Sequence, residues 1–148
     1  MTFLPMKLLP LLCSLALVPA AFGAGTHVKG PKPLRISQGA EVKLAEFLVP
    51  GKTTIFDFTS EYCPPCRAYA EPLLLLHQKR ADVAVVKVDI NRSEVHRIDW
   101  DSPVARQFEL RSIPHFKVYG PDGKLIAEDT TDARFARVLV DKLLGTLE

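Results

Sequence analysis

The chain has 148 residues, 47% of them hydrophobic and 24% charged, with a formal net charge of +2. These values suit one globular domain with a core of its own and leave no electrostatic footprint for nucleic acid. Its 12 prolines are scattered, and no internal repeat or low-complexity tract is present.

Met1 to Lys7 carry one positive charge, Leu8 to Ala21 form an apolar run broken by Pro10 and Pro19, and small residues follow through Gly25. This is the pattern of a secretory signal peptide over residues 1–23, with cleavage after Gly23 and a second candidate after Ala20. An uncleaved membrane anchor ranks second, because the run is shorter than the roughly 20 residues a spanning helix needs. The expectation is therefore an exported protein, in a compartment such as the bacterial periplasm where thiols meet oxidising conditions. Residues 24–33, rich in Gly, Pro and Lys, are expected to be a linker, and residues 34–148 the domain.

Leu34 to Ile36 predicts a short strand and Leu44 to Leu48 a short helix ended by Pro50-Gly51. Thr53 to Thr59 is β-branched and aromatic, a buried strand by type. Pro64 to Arg80 has apolar residues at helical spacing (Ala68, Leu73, Leu76), with Pro72 expected to kink the helix. Val83 to Ile90 is a second continuous apolar strand, suited to a sheet covered on both faces. Asn91 to Ser102 is polar and holds His96 and Trp100. Pro103 to Leu110 predicts a short helix with proline in its first turn. His115 to Tyr119 and Lys124 to Glu128 predict a hairpin across Gly120-Pro121-Asp122-Gly123. Asp132 is placed to cap a last helix with Phe135, Val138, Leu139 and Leu143 as its apolar stripe. The order predicts an α/β fold with a mixed sheet flanked by helices.

Three cysteines are present, and Cys13 would leave with the signal peptide. Cys63 and Cys66 remain, at the junction of a buried strand and a helix. Cys63 would sit at the helix N-terminus, where unpaired N–H groups and the helix dipole favour the thiolate, the nucleophile of disulfide exchange. Pro64 and Pro65 fit the first helical turn and stiffen the loop between the sulfurs. Cys63 is expected to attack first and Cys66 to resolve the mixed disulfide. A purely structural bridge is a weak reading, since so short a loop constrains the unfolded chain little. Structural zinc needs four ligands, and His27, His77, His96 and His115 show no ligand spacing, so no metal site is expected. Haem attachment needs a histidine after the second cysteine, where this chain has Arg67.

From this point the sequence resembles the thioredoxin family, over roughly Val42 to Leu144. The resemblance rests on "FDFTSEYCPPCR", on Asp57 six residues before Cys63, on Lys87 in "VVKVDIN", and on Ile113-Pro114 in "RSIPHFKVY". It implies a thioredoxin fold and a thiol–disulfide oxidoreductase with no bound cofactor, whose redox centre is the Cys63–Cys66 pair itself. It implies that Asp57 moves a proton on or off Cys66, that Lys87 tunes Asp57, and that Pro114 is cis and faces the dithiol. Ile113 would offer its backbone to an extended substrate segment. Tyr62, Pro64 and Pro65 would rim the substrate site. Pro64 departs from the family's usual glycine, Arg67 from its lysine, and Thr130 or Thr131 occupies the neighbourhood of a groove glycine. Residues 92–102 read as an insertion in which Trp100 is a candidate for partner recognition, against the alternative of a solvated loop with one packed Trp. The expected partners are protein thiols and disulfides, with a membrane electron donor if the protein is a reductant, and the chain is expected to be a monomer. Asp57, Lys87 and Ile113-Pro114 lean towards a reductant, while Pro64-Pro65 keeps an oxidant or isomerase in play. A non-catalytic binding module, or one chelating metal through the two thiols, is the alternative from another class.

Overall fold

A computed structural model describes residues 27–147. The proposed signal peptide lies outside the described residues. Strands β1 (Leu34–Ile36), β2 (Thr53–Thr59), β3 (Val83–Asp89), β4 (His115–Tyr119) and β5 (Leu125–Glu128) form one sheet in the order β1-β3-β2-β4-β5. The helices are α1 (Pro64–Lys79), α2 (Pro103–Gln107) and α3 (Phe135–Leu144), and Leu44–Phe47 forms a 3₁₀ turn where a short helix is expected.

The sheet is mixed: β1 and β2 run parallel to β3, while β4 runs antiparallel to β2 and to β5. The two central strands need apolar residues on both faces, which is why β2 and β3 are near-continuous hydrophobic runs. Alternation then sorts them. Ile55, Val83 and Val85 join Leu73 and Leu76 of α1 and Ala136 and Val140 of α3 in one cluster. Phe56, Phe58, Val86 and Val88 join Leu44, Val104 and Ala105 in the other. Asp57 shares the α1 face with Ile55, a position where an apolar residue would otherwise sit.

Several local expectations are corrected. Ala68 is exposed, and the buried face of α1 is Cys66, Leu73, Leu76 and His77. As expected, one helix spans this segment with Pro72 inside it, and it ends at Lys79. Asp132 does not cap α3, which starts at Phe135 with Arg134 as N-cap and no side-chain cap. Phe135 and Val138 are exposed, while Ala136 and Val140 are buried. Leu139 and Leu143 of the expected stripe do pack, half-buried, against the core beside them, and Asp129 accepts from the backbone N–H of Arg137 at 3.0 Å. Strand β5 begins at Leu125, one residue later than expected, next to a register shift at Val118/Tyr119.

Long-range polar contacts fasten the periphery. His77 accepts from the Val85 N–H at Nδ1 (3.0 Å), so its Nε2 carries the proton and donates to the Gly30 carbonyl (2.8 Å). Lys29 Nζ donates to the Arg80 carbonyl at 2.7 Å. The described part of the expected linker is thus tied to the end of α1.

Candidate functional site

Strand β2 ends at Thr59, a short turn follows, and Cys63 becomes the N-cap of α1 with extended backbone angles. Pro64 and Pro65 occupy the first helical turn, where their missing N–H groups leave no helical bond unmade. Cys63 and Cys66 are joined in a disulfide with Cα atoms 5.2 Å apart. The Cys66 N–H points at the Cys63 sulfur, 3.2 Å away. After reduction, that donor and the helix dipole act on a Cys63 thiolate and favour it over the thiol. Both cysteines are buried, Pro64 and Pro65 are exposed, and Tyr62 is half-buried beside them.

The Ile113-Pro114 peptide bond is cis. The Cys63 sulfur lies 3.7 Å from the Ile113 carbonyl oxygen, so the loop before β4 faces the redox pair. Arg137 donates to the Pro114 carbonyl and Asp129 accepts from the Phe116 N–H at 3.1 Å, which holds this loop from behind.

Asp57 is 1% exposed, and neither carboxylate oxygen has a hydrogen-bond partner among the described residues. Loss of hydration therefore pushes its pKa up from 3.8 to about 7, opposed by the positive charges of Lys87 and then Arg35. The register explains these two cations: Arg35, Lys87 and Asp57 stand opposite one another across β1, β3 and β2. Asp57 can thus hold or release a proton near neutral pH, the property a proton carrier for a thiol needs.

Trp100 is 41% exposed. The segment around it meets the redox rim through other residues. Tyr62 Oη lies 3.1 Å from His96 Nδ1. Ser60 Oγ donates to Asn91 Oδ1 at 2.7 Å, and the Asn91 amide donates to the carbonyls of Val95 and Arg97. Arg92 holds the buried Asp99 through Nε at 2.7 Å and Nη2 at 3.0 Å. Residues 92–102 form a braced loop in which His96 meets Tyr62. Sequence reasoning had no signal for that pairing, since 34 residues separate the partners. Among the described residues no cluster of three or more His, Cys, Asp or Glu is arranged to hold a metal ion.

The thioredoxin family model matches residues 40–144. The chain belongs to the thioredoxin family. Among curated thioredoxins it is 29% identical over 97 residues to the chloroplastic thioredoxin F-type of Mesembryanthemum crystallinum, covering 66% of this chain and 44% of that protein. It is 28% identical over 136 residues to chloroplastic thioredoxin F1 of Arabidopsis thaliana, covering 92% of this chain and 64% of that one. The chain thus spans about half the length of several curated thioredoxins it matches. Among solved structures, spinach chloroplast thioredoxin f (long form) superposes with a TM-score of 0.54 at 18% identity, over 80% of this chain and 88% of that one. A thioredoxin mutant from Halobacterium salinarum gives 0.54 at 20% identity, over 82% and 96%. At these identities the superpositions establish the thioredoxin fold alone.

Proposed function

We propose that this thioredoxin-family chain is an exported thiol–disulfide oxidoreductase that reduces disulfides in protein substrates. The observation that carries the reading is the seat of the Cys63 sulfur, capped by the Cys66 N–H at the start of α1 and set against the Ile113 carbonyl. The Cys63 thiolate attacks one sulfur of a substrate disulfide, forming a mixed disulfide and releasing one substrate thiolate. Cys66 then gives up its proton to the Asp57 carboxylate and attacks the Cys63 sulfur. The internal disulfide forms, the second substrate thiolate leaves, and two electrons have passed to the substrate. Ile113 presents backbone groups to an extended substrate segment, and Pro114, lacking an N–H, donates none. In an oxidising compartment the pair needs re-reduction, and a membrane dithiol donor of electrons fits that requirement.

Insulin reduction with dithiothreitol tests the activity. Cys63→Ser is expected to abolish turnover and Cys66→Ser to accumulate mixed disulfides; normal turnover by Cys63→Ser would sink the reading. The reduction potential of the purified domain tests the direction, with a value of about −270 mV expected for a reductant and one of about −120 mV overturning it. N-terminal sequencing of exported protein tests the location, with Ala24 the expected first residue.

A further inference from the structure

The two halves of the redox site come from distant parts of the chain. Cys63 starts α1, and the Ile113 carbonyl, 3.7 Å from its sulfur, lies 50 residues further on in the loop before β4. Their separation is set by what packs against both, and α3 does so. Arg137 Nη2 donates to the Pro114 carbonyl. One turn along the same face of α3, Asp141 accepts from the Tyr69 hydroxyl at 2.8 Å. Tyr69 in turn lies one turn after Cys66 on α1.

Phe116 closes the circuit. Its ring meets Tyr69 edge-on with centroids 5.3 Å apart, and Asp129 binds both its backbone N–H (3.1 Å, at the side chain) and its C=O (3.0 Å, through the Asp129 N–H). Plain packing does not account for an arginine here. Arg137 Nε is buried with no hydrogen-bond partner among the described residues, a cost that an aliphatic side chain at this position would avoid. The charge-assisted bond to the Pro114 carbonyl is the return on that cost. At the other end, the Tyr69 hydroxyl is pushed up to about 12, chiefly by loss of hydration and then by its bond to Asp141, so it keeps its proton and donates across the working pH range.

We propose that Arg137 and Asp141 are positioning residues for disulfide exchange: α3 clamps the Pro114 loop directly and the dithiol helix through Tyr69, and so fixes where a substrate strand on Ile113 lies relative to the Cys63 sulfur. The proposal rests on the oxidoreductase reading and adds residues that touch neither the substrate nor a sulfur. Attack on a disulfide needs close alignment, and a displacement of about 1 Å can cost up to about 100-fold in rate. The loss should fall on protein substrates that lie along Ile113, more than on a small disulfide that meets Cys63 without a strand.

The test compares two rate constants of the reduced chain, one with insulin and one with hydroxyethyl disulfide. Arg137→Met keeps the apolar stem and removes the donors. It is expected to lower the insulin-to-small-disulfide ratio about tenfold, and Arg137→Lys to recover it to within about threefold. Asp141→Ala, at an exposed position, is expected to lower the ratio about threefold, and to add little when joined to Arg137→Met, since both open one circuit. A ratio unmoved in Arg137→Met, as a loss of stability alone would leave it, or losses that multiply in the double variant, overturn the clamp. A second readout needs no turnover: the transverse relaxation rate of the Ile113 amide nitrogen is expected to rise about twofold in Arg137→Met and to return in Arg137→Lys. An unchanged Ile113 overturns the clamp. A loosened Ile113 in a chain that reduces no protein disulfide supports the clamp and overturns the reductase reading instead.

Discussion

Burial of Asp57 without a hydrogen-bond partner sets two measurable properties in opposite directions. Its folded pKa, about 7, stands above the unfolded value of 3.8, so the folded state holds the proton more tightly. Stability from this group is complete below about pH 4 and is lost as pH rises through 7. The shift corresponds to roughly 4 kcal/mol at pH 8 if none is recovered elsewhere. Asp57→Asn is therefore expected to be more stable than the native chain at pH 8 by up to a few kcal/mol, with the gap closing between pH 7 and 4, as denaturant titrations at each pH would record. The same substitution removes the proton acceptor for Cys66, so release of the second substrate thiolate should slow about 100-fold in stopped-flow traces while mixed-disulfide formation stays near normal. An equal slowing of both steps would indicate a structural role. Asp57 stood out in the sequence as an acid inside an apolar strand. Its lack of any partner was not legible there, because the neighbouring strand and helix decide that.

Between elements, the braced loop after β3 is joined to the redox rim by side-chain hydrogen bonds. Asn91 links Ser60, just before the redox pair, to the carbonyls of Val95 and Arg97. Asn91→Ala strands these groups, and a loss of about 2 kcal/mol in equilibrium unfolding is expected, with faster amide exchange confined to residues 92–101. Gly39 supports the same loop from below. Its φ is +84°, and a Cβ there would meet Arg92 Cγ at 2.5 Å and the Arg92 nitrogen at 2.8 Å. Gly39→Ala combines an unfavourable backbone region with that clash, and a loss of about 1–3 kcal/mol is expected from the same unfolding measurement. The segment itself was visible as a polar stretch after an apolar strand. Its bracing was not, since composition does not say that Arg92 and Asp99 close on each other or that Tyr62 meets His96.

Across the whole molecule, buried histidines set the acid side of the stability profile. Burial lowers the pKa of His77 below 6.5, and its Nδ1 is committed as acceptor to the Val85 N–H. A depressed folded pKa gives stability that is complete above about pH 6.5 and is lost as pH falls through the folded value. As pH falls below 6.5 and through the lowered folded pKa, the Val85 amide is expected to exchange progressively faster, an effect absent in His77→Gln, whose side-chain carbonyl is expected to take over as acceptor. Asp57 works against this trend, so its Asn variant should show the histidine effect more clearly. The sequence by itself determined the dithiol at a strand–helix junction, the two central apolar strands and the helix that starts on the prolines, because spacing, periodicity and proline geometry act over a few residues; the Ile113-Pro114 loop was expected only from the resemblance to the thioredoxin family. Only the tertiary structure decided that β1 sits on the far side of β3, that Arg35 and Lys87 line up with Asp57, that Tyr62 meets His96, and that Tyr69 meets Asp141. Each of those depends on strand register and on contacts between residues distant in the chain, which no short window contains.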